Sequence, residues 1–110
     1  MKIELGKITS VRVGMGGYQD AQFGIWFQLG NDGWGVGNGK GVWCGNPSDH
    51  AKWTLADKHK IMGEIMQYIE DLMADAKVSN VNDLKGIPVE ITFDSAYGKM
   101  LSWRILKEVI

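Results

Sequence analysis

The sequence predicts an α+β domain, a mainly antiparallel sheet of about five strands with one long helix packed on it. Three observations carry this expectation. The stretch AQFGIWFQLG sets Phe23, Ile25, Phe27 and Leu29 on one side of an extended chain and Gln22, Gly24, Trp26 and Gln28 on the other. Further on, Ile61, Ile65, Ile69, Leu72 and Ala76 recur at helical spacing. Three strands, a helix and a closing strand pair leave no parallel-crossover signature.

Taken in order, Ile3 to Val13 is rich in β-branched residues and reads as the first strand, with an irregularity expected at Gly6. Gly14 to Asp20, GMGGYQD, reads as a loop, because its glycines supply conformations that other residues resist. The alternating strand follows, and the turn Gly30-Asn31-Asp32-Gly33 joins it to GWGVGNGKGVW as an antiparallel hairpin. In that last strand glycine stands at every second position from Gly33 to Gly41. One face would carry Trp34, Val36, Asn38, Lys40 and Val42, and the other would be bare. Glycine costs a strand about 0.5–1 kcal/mol relative to alanine, so the repetition calls for a reason.

A polar loop leads to Thr54, which forms a capping-box pattern with Asp57, while Trp53 ahead of it is placed for a hydrophobic staple. A helix from Thr54 to Lys77 would be about 35 Å long, and its wide apolar stripe is expected to be partly buried by a neighbouring subunit. Ser79 to Gly86 reads as a short helical turn closed by glycine. Ile87 to Phe93 alternates as a strand, DSAYGK supplies a turn, and a last strand runs from Leu101 to near Val109.

At 110 residues and 12.2 kDa, the chain reads as a single domain over 1–110. A net charge of −1 and a pI near 6.1 supply no basic excess for long nucleic acid, although a short anionic ligand needs only two or three positive groups. The single cysteine, Cys44, allows no intrachain disulfide and suits a reducing cytoplasm. No apolar block approaches a membrane span or a signal peptide, so neither membrane association nor export is expected.

Catalytic patterns are weak. Cys44 with His50 and His59 lacks the signature of a nucleophile family, and Cys44, Asp49, His50 and His59 do not have the spacing of a closed zinc site. Gly39-Lys40 is followed by Gly41-Val42-Trp43, which continues as strand and not as the Ser/Thr-headed helix of a phosphate loop. The carboxylates Glu64, Glu70, Asp71 and Asp75 share a helix with lysines and read as its solvated face. No catalytic residue, metal or cofactor is expected.

Binding is better supplied. Five tryptophans are many for this length, and Trp26 falls on the polar side of its strand, beside the bare glycine face. Such a face admits a flat ring or a second backbone, and stacking on an aromatic is worth about 1–3 kcal/mol per base. Only two arginines occur, and Arg104, opposite the core side of its strand, suits a diphosphate. Lys40 and Trp34 project from the glycine strand, and Tyr18, Gln19 and Asp20 lie among glycines that allow close approach to a ribose or an adenine edge.

GMGGYQDAQFG, GWGVGNGKGVW, the Trp53-Thr54 helix start and the closing LSWRILKEV together resemble the phage-encoded Thoeris anti-defence sponge proteins, over nearly the whole chain. The resemblance implies a cytoplasmic homo-oligomer that sequesters cyclic ADP-ribose isomers without turnover, in pockets between protomers, with cyclic oligonucleotides as further ligands of some members. Aromatics there stack on adenine and arginines hold phosphate, a role that Arg104 matches. The rival expectation is a phage protein that inhibits a host enzyme through its methionine-rich helix face and exposed indoles. A hydrolase acting on the same nucleotides is the weaker third.

Overall fold

A computed structural model describes residues 1–95 and 98–110. It is α+β, with one five-stranded sheet in the order β3-β2-β1-β4-β5. The strands are β1 (Lys2–Gly16), β2 (Gln22–Asn31), β3 (Trp34–Trp43), β4 (Pro88–Phe93) and β5 (Met100–Ile105), and the helix is α1 (Leu55–Ala76). Every neighbouring pair is antiparallel. Among the described residues no helix is long and apolar enough to cross a membrane.

β1 is longer than the sequence suggests, because GMG continues the ladder and Gly14, Met15 and Gly16 pair with Gly24, Phe23 and Gln22. Its irregularity lies at Thr9, between the pairs Ile8–Leu29 and Ser10–Gln28, and not at Gly6, which pairs regularly with Val89. The extra residue has a consequence for both faces of the sheet. Before it, Glu4, Gly6 and Ile8 point toward the helix; after it, Val11, Val13 and Met15 do so. Without the bulge one half of β1 would turn its apolar side outward.

The β2–β3 hairpin closes through a two-residue loop, Asp32-Gly33, between the paired Asn31 and Trp34. Gly33 has φ +92°, a conformation that side-chain-bearing residues resist. Thr54 caps α1: its hydroxyl accepts from Asp57 N at 3.1 Å, and the Asp57 carboxylate accepts from Thr54 N at 2.8 Å. The fourth helical position is Lys58, so Trp53 finds no apolar partner there for the expected staple. At the other end Lys77 closes the helix in the left-handed region.

A short 3-10 turn over Val81–Leu84 precedes β4, as the sequence suggests. The turn over DSAYGK includes Ala96 and Tyr97, which lie outside the described residues. β5 ends at Ile105 instead of reaching Val109, because Lys107–Val109 turns into a 3-10 segment.

The core lies between the sheet and α1. Ile8, Ile25, Phe27, Leu29, Val89, Ile91 and Ile105 meet Leu72, Ala76 and Leu84 there. Phe27 takes Tyr68 and Trp103 edge-on, with ring centroids 6.5 and 5.2 Å away. Trp103 belongs to β5, and its indole reaches Asn38 of β3 at the opposite edge of the sheet. Strands lie about 4.8 Å apart, so a flat sheet would keep these residues out of reach. The sheet therefore curls around its core.

Candidate functional site

Register decides which side chains share a surface. Trp34, Val36, Asn38, Lys40 and Val42 pair with Asn31, Leu29, Phe27, Ile25 and Phe23, and so they face the helix. Gly35, Gly37, Gly39 and Gly41 pair with Gly30, Gln28, Trp26 and Gly24 on the outer face. The bare surface expected from the sequence is therefore real, and it lies away from the core.

That surface is occupied by the protein's own indole. A Cβ added at Gly39 would overlap Cε3 of Trp26 and lie 2.9 Å from its Cζ3; one at Gly41 would lie 2.8 Å from Cη2 and Cζ2. From the other flanking strand, a Cβ at Gly16 would lie 2.6 Å from Nε1. Glycines on β1 and β3 thus clear a seat on either side of β2, and the ring lies down on it. The indole N–H donates to Gly14 O at 3.0 Å, which ties the ring to β1. The seat satisfies the polar end of Trp26 and leaves the ring half-buried.

Around the indole is a cleft of about 360 Å3, lined by Arg12, Gly17, Trp26, Gln28, Gly37 and Gly39 among others. Arg12 pairs directly with Trp26 across the β1–β2 ladder. Its guanidinium donates to Met15 O at 2.6 Å, and among the described residues no carboxylate forms an ion pair with it. A stacking surface and an uncompensated guanidinium therefore stand side by side, with the Gln28 amide next to them.

Gly17, at φ +71°, carries the chain from this cleft into the 3-10 turn Tyr18–Asp20. Tyr18 is 71% exposed, and Gln19 and Asp20 adopt left-handed φ of 55° and 53°. The turn borders the indole cleft through Gly17, where a Cβ would approach Trp26 Cη2 to 3.2 Å.

The remaining expected residues lie elsewhere. Arg104 is on the outer face, but its Nε lies 3.3 Å from Glu90 and its Nη1 2.8 Å from Glu108. The hydrogen bonds it donates to Glu108 first and to Glu90 second raise its pKa, and the same contact with Arg104 lowers that of Glu108. Lys40 is on the helix face, with its ammonium 4.6 Å from the Tyr68 ring centroid. Trp34 is also there, edge-on to Phe93 at 5.9 Å, in a separate cleft with Lys2 and Glu4. The structure thus brings Trp26 close to the turn Tyr18–Asp20 and separates both from Trp34 and Lys40.

Trp43 and Trp53 line a further cleft with Gln22, Lys58 and Ile61. Cys44 is exposed, and its sulfur lies 3.6 Å from that of Met15. Among the described residues no three His, Cys, Asp or Glu side chains are grouped to hold a metal ion.

Neither a family model, nor a curated protein, nor a solved structure matches this chain. The site is therefore defined by its own geometry. Arg12 and Gln28 were not legible as site residues from the sequence. Both share the face of Trp26, but β1 changes face at Thr9, so only the pairing shows that Arg12 stands opposite the indole.

Proposed function

We propose that this protein binds a cyclic nucleotide defence signal and sequesters it without turnover. A cyclic ADP-ribose isomer is the leading ligand and cyclic oligonucleotides are alternatives, with the protein acting as a phage immune-evasion factor in the host cytoplasm and as a homo-oligomer. The observation that carries this reading is the pairing of Arg12 with Trp26 on the outer face. A seated indole offers one π-face to a purine, and a guanidinium without an acidic partner suits phosphate, which it can meet through two parallel hydrogen bonds. Gln28 supplies an amide for the edge of a base, and Tyr18, Gln19 and Asp20 supply polar groups at the rim.

The test is a thermal-shift panel of cyclic ADP-ribose isomers, cyclic dinucleotides and cyclic trinucleotides, followed by heat release of whatever binds. A ligand of the native state raises the melting temperature, and sequestration returns that ligand chemically intact. No shift with any member overturns the reading, and a cleaved product replaces it with hydrolysis.

A second reading is a protein-interaction module that inhibits a host enzyme through α1. It is favoured by Met66, which is 70% exposed on that helix. It requires a chain that is monomeric on its own and unresponsive to every nucleotide in the panel.

A further inference from the structure

The glycine row of β3 joins two clefts. Gly37 and Gly39 line the indole cleft described above. Gly41, the next glycine of the row, lines the cleft of about 290 Å3 that also holds Trp43 and Trp53. The Trp26 ring stands at the boundary between them, because a Cβ at Gly39 would lie 2.9 Å from its Cζ3 and one at Gly41 2.8 Å from its Cη2. Trp43 follows on the same face of β3, paired with Gln22 as Gly41 is paired with Gly24, and it is 43% exposed. Two residues of strand separate it from Gly41, about 7 Å, so a second indole rises just beyond the far edge of the first.

The two clefts carry matching groups. Arg12 and Gln28 flank Trp26 in the first, and Lys58 and Gln22 flank Trp43 in the second. Lys58 donates to Gly45 O, and among the described residues no carboxylate forms an ion pair with it. Its neighbour Asp57 is engaged by the helix cap, where the carboxylate accepts from Thr54 N at 2.8 Å. The Gln22 amide reaches toward the first cleft: a Cβ at Gly17 would lie 2.5 Å from its Oε1 and 3.2 Å from Trp26 Cη2. Each cleft therefore offers a π-face, an amide and a cation without an acidic partner. A single nucleotide needs one such set. Two sets on one continuous bare surface, about a nucleotide step apart, suit two bases bridged by phosphate.

We propose that Trp43 is a second stacking position, so that the site takes two bases bridged by phosphate, one base on Trp26 and the other on Trp43, with Lys58 as a second phosphate contact. The inference rests on the nucleotide reading above and deepens it. A ligand with one base, a cyclic ADP-ribose isomer included, occupies Trp26 alone, and a second base adds Trp43.

The experiment is isothermal titration of the full chain with AMP, the linear dinucleotide pApA and cyclic di-AMP, beside a cyclic ADP-ribose isomer. One further stacked base is expected to make at least one dinucleotide bind about fivefold or more tightly than AMP. Whichever dinucleotide is the tighter shows whether ring closure is read. Trp43→Ala is expected to remove this advantage and leave the AMP affinity within about twofold, while Trp43→Phe, which keeps a ring, retains most of it. Lys58→Gln is expected to weaken the dinucleotide severalfold and AMP hardly at all. The melting temperature of each variant without ligand shows that it is folded. Dinucleotides that bind no better than AMP, or a Trp43→Ala variant that keeps their advantage or weakens AMP equally, overturn the second position and leave the Trp26 site standing. A chain that binds none of these ligands, nor any member of the thermal-shift panel, overturns the nucleotide reading and this position together.

Discussion

The Trp103 indole nitrogen donates a 3.0 Å hydrogen bond to Asn38 Oδ1, and these two residues lie on opposite edge strands of the sheet. The bond is the polar part of the closure, and the edge-on contact of Trp103 with Phe27 is its apolar part. Asn38→Ala leaves a half-buried N–H without its partner, which costs about 1–2 kcal/mol. For a domain of this size that lowers the melting temperature by several degrees, as a thermal denaturation scan would record. In a Trp103→Phe background the donor is already gone, and the same Asn38→Ala change should cost much less.

Two glycines of one strand should respond with opposite sign. Gly39→Ala pushes a methyl into the Trp26 ring and to 2.8 Å from the Ile25 carbonyl, so it should destabilise by about 1–3 kcal/mol and change the tryptophan emission. Gly35→Ala meets nothing closer than 3.5 Å. It should be neutral or stabilise by about 0.5–1 kcal/mol through the lost backbone entropy of glycine. Urea unfolding of the two variants, with emission spectra of their native states, checks both signs. Equal effects would show that the indole does not need the bare surface.

The ligand reading places a phosphate on Arg12. Arg12→Gln keeps an N–H donor at this position and removes the charge, so a nucleotide that shifts the wild-type melting temperature should bind about 10–100-fold more weakly. Arg104→Gln should leave that affinity within about twofold, because this guanidinium is already held by Glu90 and Glu108. Isothermal titration of both variants distinguishes them. A larger loss from Arg104 than from Arg12 would move the phosphate site to β5.

Tyr68 links stability to alkaline pH. Burial pushes its hydroxyl from 10.0 up to about 12, so the folded state holds the proton that the unfolded chain gives up first. The contribution is complete below pH 10 and is lost as pH rises toward about 12, because in that window the unfolded state binds fewer protons. Tyr68→Phe removes this proton and should flatten the fall in stability between those values, as unfolding midpoints measured at several alkaline pH values would show.

The alternation Phe23-Ile25-Phe27-Leu29, the period of α1 and the Thr54–Asp57 capping box are local patterns, so the sequence by itself determined an α+β chain of antiparallel strands and one capped helix. The same alternation placed Trp26 opposite the core, and the glycine repeat showed that a surface of β3 would be bare. What fills that surface was decided by the tertiary structure. Register brings Gly16 from one neighbouring strand and Gly39 and Gly41 from the other beneath a single indole. Tertiary structure likewise decided which arginine is available. The bulge at Thr9 turns Arg12 toward Trp26, while Glu90 across the ladder and Glu108 beyond the strand end close on Arg104. Periodicity fixes the side of a strand on which a residue lies, but it says nothing about its neighbours on that side, because those are set by pairing between segments distant in the chain.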